Sequence, residues 1–239
     1  MSIKINKIII LGVPFIFGIG AGWIVKGMHW DVFITSYIPS LATLVAAYCG
    51  AKYAFKFQND KEIEDNKKRN LVNGNIAVFN MMRMICKLRN IQKHFIDPVR
   101  DLPVIFIQMQ PTIPINNDIK PNIETLYFLL ETDDNNLLVE LVIEEESYLT
   151  ALDAINERSR LHREEIQPLL EKAGIVQSCN YSIVNIENAL GNRRYITIKQ
   201  ATTDSIMLVD STIVSLKKVS YKLIESLNKH YKNEKIISF

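Results

Sequence analysis

Two uncharged apolar runs open the chain, Ile8 to Val25 and Val32 to Ala51. At ~1.5 Å of rise per residue each makes a helix of roughly 27–30 Å, about the thickness of a bilayer's hydrocarbon core. Only Lys26 to Asp31 separates them. The pattern predicts a membrane hairpin over residues 1–57, with spans at about 8–26 and 32–52. A cleaved leader in residues 1–26 is the rival reading. The length of the first run and the full second run directly after it favour the hairpin.

Beyond the hairpin the apolar positions recur at helical intervals. Ala51 to Lys61 has no breaker, so the second span is expected to run on as a helical stalk over 58–100. Its inner stripe is Ile76, Phe79, Met82, Met84, Ile85, Leu88, Ile91 and Phe95, with a stop at Asp97–Pro98 and a weak point at Gly74. Four prolines, at 103, 111, 114 and 121, make 101–121 a partly extended loop. A short helix follows at about Ile123 to Leu130, then a polar break at Glu131 to Asn136. A long helix runs from about Leu137 to Lys172. Its stripe is Leu138, Leu141, Glu145, Tyr148, Leu152, Ile155, Ser159, His162, Ile166 and Leu169. Pro168 should bend it and Gly174 should end it.

A short helix at Ser182 to Leu190 ends at Gly191. The last helix, Arg193 to Tyr231, repeats Thr202, Ile206, Val209, Ile213, Leu216, Val219, Leu223 and Leu227 close to every 3.5 residues. Tyr195 to Ile198 is the best strand candidate, set inside a helical pattern. The expected fold is all-α: an N-terminal transmembrane helical hairpin, the stalk, and a cytosolic antiparallel helical bundle over 101–239.

Charge sets the orientation. Lys4 and Lys7 precede the first span, and Lys52, Lys56, Lys61, Lys67, Lys68 and Arg69 follow the second, whereas the turn holds only Lys26. The positive-inside rule then puts both termini in the cytoplasm. Trp23, Trp30, Phe33 and Tyr37 sit near the turn, where amphipathic rings favour the interface.

Within the spans, small residues offer close packing: Gly18 and Gly22 in the first, Ala46, Gly50 and Ala54 in the second. They can join the hairpin to itself or to another copy. Ser36, Ser40 and Thr43 form a polar stripe beside Pro39. The plainer reading has these hydroxyls bonding back to their own helix; the sharper one lines a narrow wet path in an oligomer. Neither apolar run holds an acidic residue, a basic residue or a histidine, which argues against a proton relay or an ion-coupled transporter.

The net charge of +2 conceals a pattern. Lys61 to Arg100 has nine Lys/Arg against four Asp/Glu, Asp101 to Glu171 four against fifteen, and Lys172 to Phe239 ten against five. An electrostatically self-complementary domain explains this most simply; a charged docking face is the alternative.

The chain shows no phosphate-binding loop, no dinucleotide fingerprint, no nucleophile elbow and no metal spacing among its four histidines. The three cysteines do not suggest a disulfide framework. Glu144 to Glu146 reads as a solvated face rather than a site. Arg158, Arg160, His162 and Arg163 lie among Glu157, Glu164 and Glu165, either as an ion-pair network or as a partner surface. Arg193 and Arg194, beside Tyr195 and Lys199, form a second basic spot of the kind that grips nucleic acid. No cofactor, metal or small-molecule substrate is expected.

The hairpin closing in A-Y-C-G-A-K-Y-A-F-K-F-Q-N (Ala47 to Asn59) resembles that of two-transmembrane bacterial effectors of anti-phage defence, notably those of retron systems, or a stand-alone relative. Further support comes from I-Q-K-H-F-I-D-P-V-R (Ile91 to Arg100), F-L-L-E-T-D-D-N-N-L-L (Phe128 to Leu138) and A-I-N-E-R-S-R-L-H (Ala154 to His162). The resemblance implies a non-enzymatic, toxin-like membrane effector. A reverse transcriptase and its RNA-linked DNA would restrain it until infection, after which it would compromise the membrane and arrest the cell. Its partners would be the bilayer, further copies of itself and that complex. Two other readings compete: a passive membrane-anchored adaptor whose bundle docks a cytosolic partner, and an enzyme with an unfamiliar site at Glu144–Glu146 or Arg158–Glu165.

Overall fold

The structure, a computed structural model, describes residues 35, 38–116, 118–132, 134, 136–175, 182–232 and 234–238. The first expected span, Gly18, Gly22, Ser36 and the aromatic residues near the turn lie outside the described residues. Among those described, no helix is long and apolar enough to cross a membrane. The protein is all-helical there, with no strand, and it divides into two compact units, Met1–Asp65 and Asn66–Phe239.

Helix α1 covers Ile38–Ile91 without a break. In the first unit its described residues are exposed on every side, including Ile38, Leu41, Leu44, Val45, Tyr48, Tyr53, Phe55 and Phe57.

In the second unit the later part of α1 is core. Gly74, Ala77, Val78, Met81, Met84, Ile85, Leu88 and Ile91 are buried. The stalk expected over 58–100 is thus partly packed, and its inner stripe needs correction: Ile76 and Phe79 face solvent, while Ala77, Val78 and Met81 face inward. The apolar residues nearly ring this stretch, so only the neighbouring helices decide which of them are covered.

Helix α2 is the short Ile105–Gln108, α3 is Asn136–Leu161, α4 Gln167–Lys172, α5 Ile183–Leu190 and α6 Asn192–His230. A 3-10 helix, Ile123–Glu131, buries Leu126 and Leu129. Tyr195 to Ile198, the strand candidate, is helical within α6.

Helices α3 and α6 run antiparallel. Asp134 just before α3 meets Ser226, then Glu140 meets Lys222, Glu144 meets Ser215 and Arg158 meets Thr202. Helix α1 is also antiparallel to α6, since Gly74 faces Leu227 while Gln92 bonds Asp210. So α1 and α3 point the same way, and the proline-rich stretch between them is part of a crossover. A purely antiparallel succession was expected; the crossover length allows the parallel pair.

Two prolines shape the helix ends in the same manner. A π-helical turn, Gln92–Ile96, comes immediately before Asp97–Pro98, and another, His162–Ile166, comes before Gln167–Pro168. Proline lacks an N–H and crowds the carbonyl four residues back, so the preceding turn widens. The bend expected at Pro168 therefore appears as this wide turn. Gly174 and Gly191 take φ of 69° and 73°, the left-handed region open to glycine, and close α4 and α5. Ser182 caps α5, its oxygen accepting from the Asn185 N–H at 3.2 Å.

Candidate functional site

The inward stripe of α3 passes through Tyr148, Leu152 and Ile155, then reaches Arg158, Ser159 and His162. Helical spacing alone puts these polar residues inside. Arg158 is fully buried. Its Nε–H donates to Thr202 Oγ1 at 3.3 Å and its Nη2–H to the Phe106 carbonyl at 3.1 Å. Thr202 is itself anchored, donating to the Ile198 carbonyl at 2.8 Å. Burial pushes the guanidinium down to about 10, with no carboxylate among the described residues to offset it.

One turn on, His162 Nε2 lies 3.1 Å from the Ile107 carbonyl. A carbonyl only accepts, so Nε2 carries the proton and Nδ1 is bare. Burial, reinforced by the Arg158 and Arg163 charges, lowers this imidazole to about 4. It is neutral at physiological pH.

These side chains hold the crossover segment Val104–Asn116, which crosses the bundle as a strap. Thr112 N–H donates to Ser159 Oγ at 3.1 Å, and Arg163 donates to the Thr112 carbonyl. Asn156 takes the Ile115 N–H at 2.8 Å and returns a bond to the Ile115 carbonyl at 3.0 Å. With Pro111 and Pro114 in the strap and no strand among the described residues, helix side chains take up its backbone groups at Thr112 and Ile115.

The surface set expected from sequence thus separates. Arg158 and His162 are interior and present no charge to a partner. Arg163 is half-buried on the strap. Arg160 is exposed between Glu157 at 2.6 Å and Glu164 at 2.8 Å, the pairing its spacing predicts. Arg194 is 3.5 Å from Glu165. Arg193 is exposed, and Lys199 Nζ stands 6.0 Å over the Tyr195 ring. That ring packs edge-on to Phe106 at 5.3 Å, so it is committed to the fold rather than to stacking on a base. Paired carboxylates neutralise much of this patch.

Glu144 to Glu146 are not the single solvated face expected from sequence, because successive helix positions point in different directions. Glu144 is buried and accepts from Ser215 Oγ at 2.6 Å, and burial raises its carboxyl above the ordinary value. Glu146 is exposed. The stripe position assigned to Glu145 therefore belongs to Glu144.

On α1, Ser40, Thr43, Ala46, Gly50 and Ala54 are all exposed. Thr43 Oγ1 donates to the Pro39 carbonyl at 2.8 Å, the back-bonding of the plainer reading. A Cβ at Gly50 would have open space around it.

Sequence spacing gave no hint of a polar cleft of ≈ 390 Å³ lined by Asp134, Glu140, Lys222, Glu225, Ser226 and Lys229. Ser226 Oγ donates to Asp134 at 2.8 Å, and His230 Nε2 reaches the same carboxylate at 3.4 Å. The imidazole meets the carboxylate rather than the hydroxyl, so the three groups do not line up as a serine–histidine pair. No group of His, Cys, Asp and Glu among the described residues could hold a metal ion.

No protein-family model, curated protein or solved structure matches the chain.

Proposed function

We propose that the protein is an inner-membrane effector of a bacterial anti-phage defence system. In this reading the apolar runs form a multi-pass hairpin with both termini in the cytoplasm. A retron reverse transcriptase with its RNA-linked DNA, or the equivalent in a stand-alone system, restrains the effector. Released, it compromises the membrane and arrests the cell. Small residues at Gly18, Gly22, Ala46, Gly50 and Ala54 pack the active assembly, and Ser36, Ser40 and Thr43 face its interior.

The observation that carries the proposal is the apolar exposure of α1 in the first unit. Ile38, Leu44, Val45, Tyr48 and Phe55 are each at least half exposed and share one side of the helix, with Phe57 on the other. A broad apolar face of this kind, on a stretch that carries no charge from Ile38 to Ala51, favours burial in a large core or in lipid. The uncharged run preceding it and the basic residues following it favour lipid and an inside orientation. The resemblance of Ala47 to Asn59 to defence effectors supplies the biological setting.

The test is expression with and without the neighbouring genes, followed by membrane potential, dye entry and viability. The proposal expects depolarisation and arrest only when the restraining genes are absent. Unchanged potential in both cases would leave a passive adaptor. Recovery of the intact chain in the soluble fraction would remove the membrane from the account.

A further inference from the structure

The apolar interior of the second unit is divided in two. The main cluster ends at Ile155 on α3 and Val209 on α6; the smaller one includes Leu161, Ile166, Leu170, Ile186, Leu190 and Ile198. Between them lies a layer of polar side chains: Arg158, Ser159 and His162 from α3 and its π turn, Thr202 and Ser205 from α6, and Thr112 from the strap. Each is buried.

The layer is incompletely bonded. Arg158 Nη1 and His162 Nδ1 are shut away from solvent without a hydrogen-bond partner among the described residues, as is Gln108 Oε1 on the strap. An interior guanidinium with no carboxylate, beside a bare imidazole nitrogen, gains hydration whenever the layer is wetted. The backbone weakens at the same level, where α3 gives way to the π turn His162–Ile166.

We propose that this layer is a parting plane: the end of the bundle carrying the smaller cluster opens as a cooperative unit while the main cluster stays folded, and acid favours the open form. Opening separates two apolar clusters that meet across polar groups, so it sacrifices less apolar contact than splitting either cluster. Sub-global units of this kind follow supersecondary boundaries; here the unit is the end of α3, its π turn, α4, α5, the first turns of α6 and the strap residues Phe106 and Ile107.

Acid enters through His162. The charges acting on it are Arg158 and Arg163, both from its own helical segment. The strap presents the Ile107 carbonyl, and α6 contributes the Thr202 hydroxyl through Arg158; neither adds a carboxylate there. Closed, the imidazole titrates near 4; wetted, it returns to its ordinary value near 6.5. The open form therefore binds the proton more readily. Closure is fully favoured above that ordinary value and weakens as pH falls from it toward 4. The inference stands independently of the membrane reading.

Hydrogen exchange on the full-length chain in mild detergent tests it, at pH 7.5 and 5.0, with the intrinsic pH effect on exchange removed. Protection over 158–172 and 183–201 is expected to be lower than over 209–223 and to drop roughly 30-fold at the lower pH. Protection over 209–223 should hold. His162→Gln, neutral throughout, should abolish the acid response of the end unit. Equal protection in both regions, a fall shared by 209–223, or an unchanged acid response in His162→Gln would each overturn the proposal. Should that variant fail to fold, the wild-type profile decides: an acid response confined to the end unit upholds the parting plane, and a shared one removes it.

Discussion

Gly74 of α1 lies directly against Leu227 of α6: a Cβ built on Gly74 would stand 2.6 Å from Leu227 Cδ2. A mid-helix glycine normally costs roughly 0.5–1 kcal/mol relative to alanine. Here its missing side chain lets α1 and α6 approach. Gly74 is thus a contact point rather than only the weak point its sequence position suggests. Leu227 is fully buried and has little room to withdraw. Gly74→Ala should lower stability by about 1–3 kcal/mol despite the better helix propensity. Leu227→Ala alone opens a cavity, at a cost of about 2–5 kcal/mol. The double variant should be more stable than the two losses added together, because the new methyl refills part of that cavity. Denaturant unfolding of the four proteins measures the coupling.

Asp210 on α6 gathers the end of α1. Arg100 grips its carboxylate with two bonds, at 2.7 and 3.0 Å, and Gln92 adds a third at 2.8 Å. The Arg100 hydrogen bond holds this carboxyl below its ordinary value. About a third of each side chain is exposed, so solvent screening limits the gain to about 1 kcal/mol. Asp210→Asn should therefore be less stable by about that amount at neutral pH. A depressed carboxyl contributes above its ordinary value near 3.9 and loses that contribution as pH falls through the folded value. Melting curves of the two proteins should converge in strong acid.

Asn156 offers the strap one donor and one acceptor. Asn156→Asp keeps the acceptor for the Ile115 N–H but turns a charged oxygen toward the Ile115 carbonyl. A loss of about 1–3 kcal/mol is expected at neutral pH. Protonation restores a donor, so the variant should regain stability as pH drops, the opposite trend to Asp210. Thermal melts across pH 3 to 7, roughly the carboxyl titration range, would show the crossing slopes.

Gly50→Leu separates folding from assembly. Nothing described lies within 4 Å of its Cβ position, so the melt of the bundle should be unchanged. Under the proposed function it should blunt both growth arrest and disulfide cross-linking through the neighbouring exposed Cys49, with Cys86 and Cys179 replaced by serine. Full toxicity with full cross-linking would remove this stripe from the mechanism.

The long helices were legible from the chain because their apolar residues keep a 3.6-residue rhythm and their ends carry Pro98, Gly174 and Gly191. The ion pairs around Arg160 were legible because they depend only on positions three and four apart. His162 shows the limit. Its spacing put it on the buried stripe, yet its chemistry suggested a partner surface, and burial prevailed. Ile76 and Phe79 show the converse, since an apolar residue stays exposed when no neighbour covers it.

Local periodicity and chain punctuation were thus enough to specify helices, their ends and the pairs within them, since those are short-range interactions along one backbone. What covers each face is a long-range matter. The parallel course of α1 and α3, the strap held by Asn156 and Ser159, the Arg100–Asp210 clasp and the polar layer at Arg158 each join residues far apart in the chain. Only the packed arrangement brings those groups within reach of one another.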